Sequence, residues 1–347
     1  MKLKKILLGL AYMSVMASCA DLDYHEYTVY DKDYVFTDFG RTGAVVTNIY
    51  SYLDYDLPSE VSYCSACDEA QFAWSWSSIH DWINGAWSST NSHSLWNYYS
   101  GIRDANFFLE ESQNADFSEL KEDKNYVAEM NRFNRYKYEV RFLRAYFYFN
   151  LAKQYGGVPL ITKVQSTDIT NTTPRATSDE TFKFIIDECN LVQDSIVNNP
   201  SDFNLPSEND NGRASRITVL ALKARAALYW ASPLFNPQGD KERYHTAALY
   251  TKQLLDECKL RGMDLTANYA DLWSVNNWKD ANITKEIIFG RRIYGSGSNG
   301  ASNTFESRNY PIGIEGGNGG NCPTQTLVDA YEMQATGLRP DETNGYD

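Results

Sequence analysis

Residues 139–159 read Glu-Val-Arg-Phe-Leu-Arg-Ala-Tyr-Phe-Tyr-Phe-Asn-Leu-Ala-Lys-Gln-Tyr-Gly-Gly-Val-Pro, and their pattern predicts a buried central helix. Apolar residues recur at the spacing of one helix face, at Val140, Leu143, Phe147 and Leu151. A second apolar face lies beside the first and consists of Phe142, Tyr146 and Phe149. A helix that is apolar around most of its circumference is buried among other helices. Gly156 and Gly157 can take the left-handed turn that ends a helix, and Pro159 prevents the helix from resuming.

The same periodicity predicts helices on both sides of this stretch, and it extends the central helix over residues 127–155. The other predicted helices span residues 37–53, 95–111, 178–198, 218–232, 244–260 and 324–333. Thr177 and Glu180 have the spacing of a capping box at the start of one of them. The predicted fold is therefore all-α, a tetratricopeptide-like array of antiparallel helix pairs with long irregular loop insertions. A little strand is predicted at residues 286–291.

The composition indicates a folded protein that does not bind nucleic acid. Hydrophobic residues make up 43% of the chain and aromatic residues 14%, which allows a large core. The formal net charge is −13 and no basic cluster is present, so we expect no nucleic-acid partner. Cys64-x-x-Cys67 could be a redox or metal pair, but a chain with four histidines offers few further ligands. We predict no metal, no cofactor and no catalytic residue.

The first residues have the pattern of a lipoprotein signal peptide. Three lysines at positions 2, 4 and 5 precede a short apolar segment, residues 6–13, which is too short to span a bilayer. Residues 16–19, Met-Ala-Ser-Cys, resemble a bacterial lipobox, so we expect lipid on Cys19 after cleavage. The alternative is an ordinary signal peptide that is cleaved before a cysteine. We thus predict a signal peptide over residues 1–18, a tether over 19–36 and a single helical domain over 37–347.

Tryptophan is concentrated in one polar insertion, residues 58–92. Four of the eight tryptophans lie there, at Trp74, Trp76, Trp82 and Trp87, while Trp96 follows in a helical pattern and is expected in the core. An indole face can stack on a pyranose ring while neighbouring polar groups bind the hydroxyls. The predicted binding residues are therefore the four loop tryptophans with Asp68, Asn84, Asn91 and Tyr310. The alternative is that these tryptophans close a small core inside the loop.

Three segments of the framework carry a family resemblance. The central stretch contains Glu139-x-Arg141-Phe142-Leu143-Arg144-Ala145, followed by Tyr155-Gly156-Gly157-Val158-Pro159. The second segment has Trp96, Tyr99, Ile102 and Asn106, and the third, residues 323–331, reads Pro-Thr-Gln-Thr-Leu-Val-Asp-Ala-Tyr. These segments resemble the SusD/RagB family of outer-membrane nutrient-binding lipoproteins of Bacteroidetes. Members of that family continue well past Arg339, so we expect this chain to be truncated at its C-terminal end.

The resemblance implies a function in nutrient uptake. Such a protein would be anchored in the outer membrane by lipid and would face the cell exterior. It would capture a glycan and deliver it to a TonB-dependent, SusC-like barrel, without catalysis. Two alternatives remain open: a helical glycoside hydrolase, because acidic residues are plentiful, and a scaffold or peptide-binding member of the same family.

Overall fold

A computed structural model of the chain describes residues 31–53, 63–88, 90, 94–166, 168, 172–199, 212–273, 285–290 and 304–343. The α-helices of these ranges, in chain order, are α1 (Lys32–Val35), α2 (Phe39–Tyr50), α3 (Tyr98–Glu111), α4 (Tyr126–Tyr155), α5 (Ser178–Val192), α6 (Arg216–Ala231), α7 (Lys241–Leu260), α8 (Thr304–Asn309), α9 (Gln325–Asp329) and α10 (Pro340–Thr343). The strands are β1 (Ala70–Phe72) and β2 (Asn321–Pro323). Short 3-10 helices cover Tyr63–Ala66, Ser78–Trp82, Ser112–Asn114, Ser118–Leu120 and Tyr269–Trp273.

The core of the protein is built around α4, which has 30 residues and is therefore about 45 Å long. The predicted apolar stripe of α4 is fully buried, at Val140, Leu143, Phe147 and Leu151. On the second predicted face, Phe142 and Phe149 are also buried, while Tyr146 is half-buried. Each such side chain stabilises the fold by about 1.5–3 kcal/mol relative to leaving it exposed. The central stretch is thus the buried helix that its sequence predicts.

Successive helices pack on one another along the chain. Helix α3 packs on α4, α4 on α5, α5 on α6 and α6 on α7, and α2 packs across α3 and α4. This order confirms the all-α fold of consecutive helix pairs. The capping box before α5 is also confirmed, since Glu180 N–H donates to Thr177 Oγ1 at 3.1 Å and Thr177 N–H donates to Glu180 Oε2 at 2.8 Å. None of the described helices is long and apolar enough to cross a membrane.

Helix α4 ends at the glycine pair, as predicted. Gly156 has a φ of +71°, and its N–H donates to the carbonyl of Ala152 at 2.9 Å. A Cβ on Gly157 would collide with the carbonyl oxygen of Ala176, so only glycine fits between the two segments. The backbone of Val158 then accepts from Ala176 N–H at 3.2 Å. The turn therefore fixes the segment that leads to α5 against the end of α4.

The charged residues of the central stretch form two buried networks. Glu188 on α5 accepts from Arg144 at 2.9 Å and from Arg141 at 2.8 Å, and Arg144 also donates to Asn106 on α3 at 2.7 Å. This first network joins α3, α4 and α5.

In the second network Glu139 accepts from Arg213 at 2.9 Å and from the hydroxyl of Tyr50 at 2.6 Å. This network links α4 to α2 and to Arg213, which lies just before α6. Burial, together with the negative charge of Glu139, holds the pKa of the Tyr50 hydroxyl well above its usual range. The charged positions of the central motif therefore hold neighbouring helices in register.

The structure differs from the sequence prediction at the start of the folded part and at the predicted strand. Helix α1 and the buried Phe36 belong to the folded part, because the Phe36 ring packs 6.1 Å from the rings of Phe107 and Phe108. The folded part therefore begins before residue 37, and what remains of the predicted tether, residues 19–30, lies outside the described residues together with the signal peptide. The run at 286–291 is not a strand over residues 286–290, where Phe289 packs on Phe142 instead.

Candidate functional site

Two short strands bring together parts of the chain that are far apart in sequence. Strand β1 pairs antiparallel with β2, with Ala70 opposite Pro323. Beside this pair, the buried hydroxyl of Ser65 donates to Asn321 Oδ1 at 2.9 Å. We call residues 63–88, together with residues 307–324, which include β2, the tryptophan module. The module exists only because the two segments meet.

The tryptophan module has a small apolar cluster of its own, separate from the core around α4. Phe72 and Ile79 are buried in it. The partly buried side chains that pack around these two are Tyr63, Ala66, Trp74 and Trp82. The alternative that the loop tryptophans close a small core thus holds in part for Trp74 and Trp82.

Trp76 is the most exposed of the predicted stacking residues. Its side chain is 63% exposed, and its ring contacts Phe72 edge-on, with centroids 5.6 Å apart and planes at 84°. Trp74 is half-buried and makes a similar contact with Phe72 at 5.4 Å. The two indoles lie 5.9 Å apart. Phe72 therefore supports both rings from the buried side and leaves Trp76 open to solvent.

Arg308 on α8 lies over the indole of Trp74. Its guanidinium carbon is 4.2 Å from the Trp74 ring centre and 5.9 Å from that of Trp76. The main chain holds it there, because the carbonyl of Arg308 accepts from Gly320 N–H at 2.8 Å and the carbonyl of Gly320 accepts from Ala73 N–H at 2.7 Å. A cation–π contact of this kind is worth about 0.5–2 kcal/mol. Sequence reasoning missed Arg308, because no local pattern indicates that residues 308 and 74 meet.

The remaining two loop tryptophans form a pair. The rings of Trp82 and Trp87 lie 4.0 Å apart at 46°, and Trp82 also packs 6.0 Å from Tyr63. Trp82 is half-buried and Trp87 is 39% exposed. The pair therefore offers a second, less exposed aromatic surface on the same module.

The polar candidates have different surroundings. Asp68 is exposed, and its carbonyl accepts from the Thr324 hydroxyl next to β2. Asn84 is exposed, but its side-chain oxygen accepts from Ala86 N–H at 2.8 Å and so stabilises a turn. Tyr310 is 37% exposed and follows Arg308 by two residues. Asn91 and Cys19 lie outside the described residues. A role in binding stays a prediction for each of these residues.

The prediction that Trp96 belongs to the core is wrong. Its side chain is 48% exposed. The residue precedes the first turn of α3, whose buried stripe includes Tyr98 and Ile102, so Trp96 lies outside that stripe. Its ring stacks on Tyr155 at the end of α4 instead, with centroids 4.0 Å apart and planes at 6°.

Two carboxylates are buried among the described residues, Glu139 and Glu188. Glu139 and Glu188 are bound by arginines in the two networks between helices, in the main core and not in the tryptophan module. No group of three or more His, Cys, Asp or Glu side chains in the described part of the chain is placed to hold a metal ion. No disulfide joins Cys64 to Cys67. The module is therefore a surface of aromatic rings with polar neighbours.

A family model described as SusD-like, starch-binding and associating with the outer membrane matches residues 26–227. A SusD-like protein of Bacteroides ovatus is 29% identical over 142 residues, which are 40% of this chain and 23% of that protein.

Solved structures of similar fold are also SusD-like. One from Bacteroides fragilis NCTC 9343 superimposes with a TM-score of 0.62 at 24% identity, covering 89% of this chain and 55% of that chain. A laminarin-binding SusD-like protein superimposes with a TM-score of 0.53 at 21% identity, covering 69% of this chain and 48% of that chain. The chain thus spans about half the length of these solved relatives.

Proposed function

Because the chain belongs to the SusD/RagB family of SusD-like proteins, we propose that it captures an oligosaccharide or polysaccharide at the tryptophan module and performs no catalysis. The protein is anchored in the outer membrane by lipid on Cys19, faces the cell exterior and delivers its glycan to a TonB-dependent, SusC-like barrel. The residues after the anchor form one helical domain that presents the module. The family model supports the association with the outer membrane.

The observation that carries this proposal is the exposed indole of Trp76 on a fixed support. The ring is held at its edge by Phe72, while 63% of the side chain remains exposed. An indole that is exposed on a fixed support offers a flat apolar face, which matches the apolar face of a pyranose ring. Tyr310 and Trp87 supply further exposed aromatic rings in the same module.

The glycan proposed first is a neutral glucan. The family model is described as starch-binding, and one relative of similar fold binds laminarin. The module itself contains four carboxylates, at Asp68, Glu69, Asp81 and Glu315, and one arginine, Arg308, so its negative balance disfavours an anionic glycan. Soluble starch, maltoheptaose, laminarin and laminariheptaose are therefore the first ligands to test.

The decisive variant is Trp76→Ala. Isothermal titration calorimetry should show that this change weakens binding of the preferred glucan about five- to thirtyfold, because a stacking ring contributes roughly 1–2 kcal/mol. The matched control is Tyr244→Ala on α7, which removes an aromatic side chain that is 46% exposed and far from the module in sequence. This control should bind like the wild type.

Three results would contradict the proposal. Equal affinity of wild-type protein and Trp76→Ala would move the binding site away from the module. Release of reducing sugar from any of these glucans by purified protein, abolished by one carboxylate substitution, would establish a hydrolase instead. Binding of peptides with no binding of any glycan would indicate the peptide-binding alternative.

A further inference from the structure

A second aromatic platform lies at the start of α3, outside the tryptophan module. The Trp96 ring is parallel to the ring of Tyr155, 4.0 Å away and tilted by 6°, so Tyr155 covers one of its two faces. The side chain is nevertheless 48% exposed. The ring of Tyr99 also lies 6.1 Å from that of Trp96, at 29°. The exposed area is the part of the indole that these two tyrosines leave uncovered.

Hydrogen bonds hold Tyr155, on which the Trp96 ring stacks, in place. Leu95 N–H donates to the hydroxyl of Tyr155 at 2.8 Å, which ties the residue before Trp96 to the same tyrosine. Arg175 donates to the carbonyl of Tyr155 and, at 2.6 Å, to the carbonyl of Gly157. Tyr155 is also the last residue of α4, whose other side chains fill the core. A ring held in this way loses little conformational freedom when a ligand stacks on it.

The surroundings of Trp96 are polar. Its neighbours in the chain and on the first turn of α3, Ser94, Asn97 and Ser100, are exposed, and so is Gln154 beside Tyr155. The side chain of Asn97 makes no capping hydrogen bond to α3. Docking of another protein requires a contiguous apolar patch of several hundred Å². A single indole among small polar groups instead suits one sugar ring, whose apolar face stacks while its hydroxyls bond to amides.

We propose that Trp96, with the amide of Asn97, forms a second pyranose-binding subsite of this protein. The subsite takes the same class of neutral glucan as the tryptophan module, and in this respect the inference rests on the proposed function. Two subsites on one protein bind a long polysaccharide with higher apparent affinity than a short oligosaccharide, because the second contact is intramolecular.

The test observes each indole separately by ¹⁹F NMR of protein labelled with 5-fluorotryptophan. The variants Trp96→Phe and Trp76→Phe assign the two resonances, since each removes one signal and retains an aromatic ring. Laminariheptaose and maltoheptaose are then titrated into wild-type protein and into Trp76→Ala. We expect the Trp96 resonance to shift with one of these sugars in both proteins. We also expect Trp96→Ala to weaken laminarin or starch binding about tenfold in the Trp76→Ala background.

The outcomes separate the two proposals. A shift at Trp76 with no shift at Trp96, at concentrations that saturate the module, overturns the second subsite and leaves the proposed function intact. A shift at Trp96 alone supports the subsite and overturns the assignment of the module. No shift at either resonance with any of the glucans overturns both. Thermal unfolding of Trp96→Phe and Trp96→Ala identifies a loss of binding that comes from loss of structure.

Discussion

Arg308 lies over Trp74, the half-buried indole beside the exposed Trp76. Its guanidinium covers the ring of Trp74, so that face of the indole is occupied by protein. Trp76, 5.9 Å from Trp74, is then the ring that remains available. We therefore predict that Arg308 is a positioning residue, which would act on a bound glycan through the indoles that it contacts.

Arg308→Gln should weaken glucan binding about three- to tenfold, because the amide keeps some of the length of the side chain but lacks the charge that attracts the indole. Arg308→Lys should lie between the glutamine variant and the wild type, since it keeps the charge and loses the planar stack. Isothermal titration calorimetry and the near-ultraviolet circular dichroism of the indoles measure the two effects. Arg103→Gln, at a side chain that is 67% exposed, is the control. Unchanged affinity in Arg308→Gln would show that Trp76 needs no such support.

At this scale the sequence predicts which residue types matter but not which of them are exposed. The tryptophans of the insertion stand out by composition, and the structure does place Trp76 and Trp87 at the surface. The same reasoning puts Trp96 in the core, because its spacing to Tyr99 and Ile102 suggests one helix face. Exposure depends on what packs against a ring, and that partner, Tyr155, lies 59 positions later in the sequence.

Among the elements, the helix pairs are tied together by buried charge as well as by apolar packing. The side chain of Glu188 is 9% exposed and is shared by Arg144 and Arg141 of α4. Taking these charges out of water is costly, and the attraction repays that cost only while every partner is present. The network thus penalises any arrangement in which α5 slides along α4.

Glu188→Gln should lower the free energy of unfolding by about 3 kcal/mol, because it leaves the buried Arg144 without its counter-charge. Chemical denaturation measures the change. Asp256→Asn, which removes an exposed ion pair with Lys252 on α7, should leave stability unaltered within error. If both substitutions changed the free energy of unfolding by equally small amounts, water would have to reach the ion pair between Arg144 and Glu188.

Asp179 gives α5 a pH-dependent link to α6 and α7. It accepts from the indole N–H of Trp230 at 2.8 Å and pairs with Arg243 at 2.9 Å and with Lys183 at 2.7 Å. Burial alone would raise the pKa of this carboxyl, but the bonds from Lys183 and Trp230 outweigh it, and the pKa lies below its ordinary value. A carboxyl whose pKa is lowered by folding stabilises the protein at pH values above its pKa in the unfolded state, about 3.9. This stability is lost as the pH falls through the pKa of the folded state.

Asp179→Asn should therefore be less stable than the wild type at pH 7, and the difference should shrink below about pH 4. Denaturation curves of both proteins between pH 3 and pH 7 measure it. A difference in unfolding free energy that stays constant over this range would assign the role of Asp179 to shape rather than charge.

Helices α2 to α7 and α9 could be predicted from the sequence, because their stripes and caps are local, whereas the short helices α1, α8 and α10 were not predicted. Val140 to Leu151 repeats at helical spacing, and Thr177 with Glu180 marks the start of α5. The strands could not be predicted, since β1 and β2 have three residues each and owe their pairing to contacts across the chain. The roles of Glu139, Arg141 and Arg144 were also hidden, because their partners lie on other helices.

For the whole molecule, the proposed lipid on Cys19 determines where the binding surface is displayed. Several acyl chains hold a protein on a membrane stably, whereas an unmodified chain without a spanning helix would be released. Cys19→Ala in the full chain should therefore move the protein from the membrane fraction to the soluble fraction after cell lysis. Cys67→Ala, at an exposed cysteine, should remain with the membrane. Retention of the Cys19→Ala protein in the outer-membrane fraction would assign the attachment to another contact.

The separate apolar cluster around Phe72 has a consequence for the order of assembly. A polypeptide that emerges amino end first completes the hairpins from α2 to α7 before residues 321–323 have left the ribosome or the export channel. Contacts between such distant residues are the slowest to form. The tryptophan module, which is the proposed glycan-binding surface, would thus form last, on helices that are already folded. Substitutions in its two short segments would then alter the proposed ligand preference and leave the helical framework unchanged.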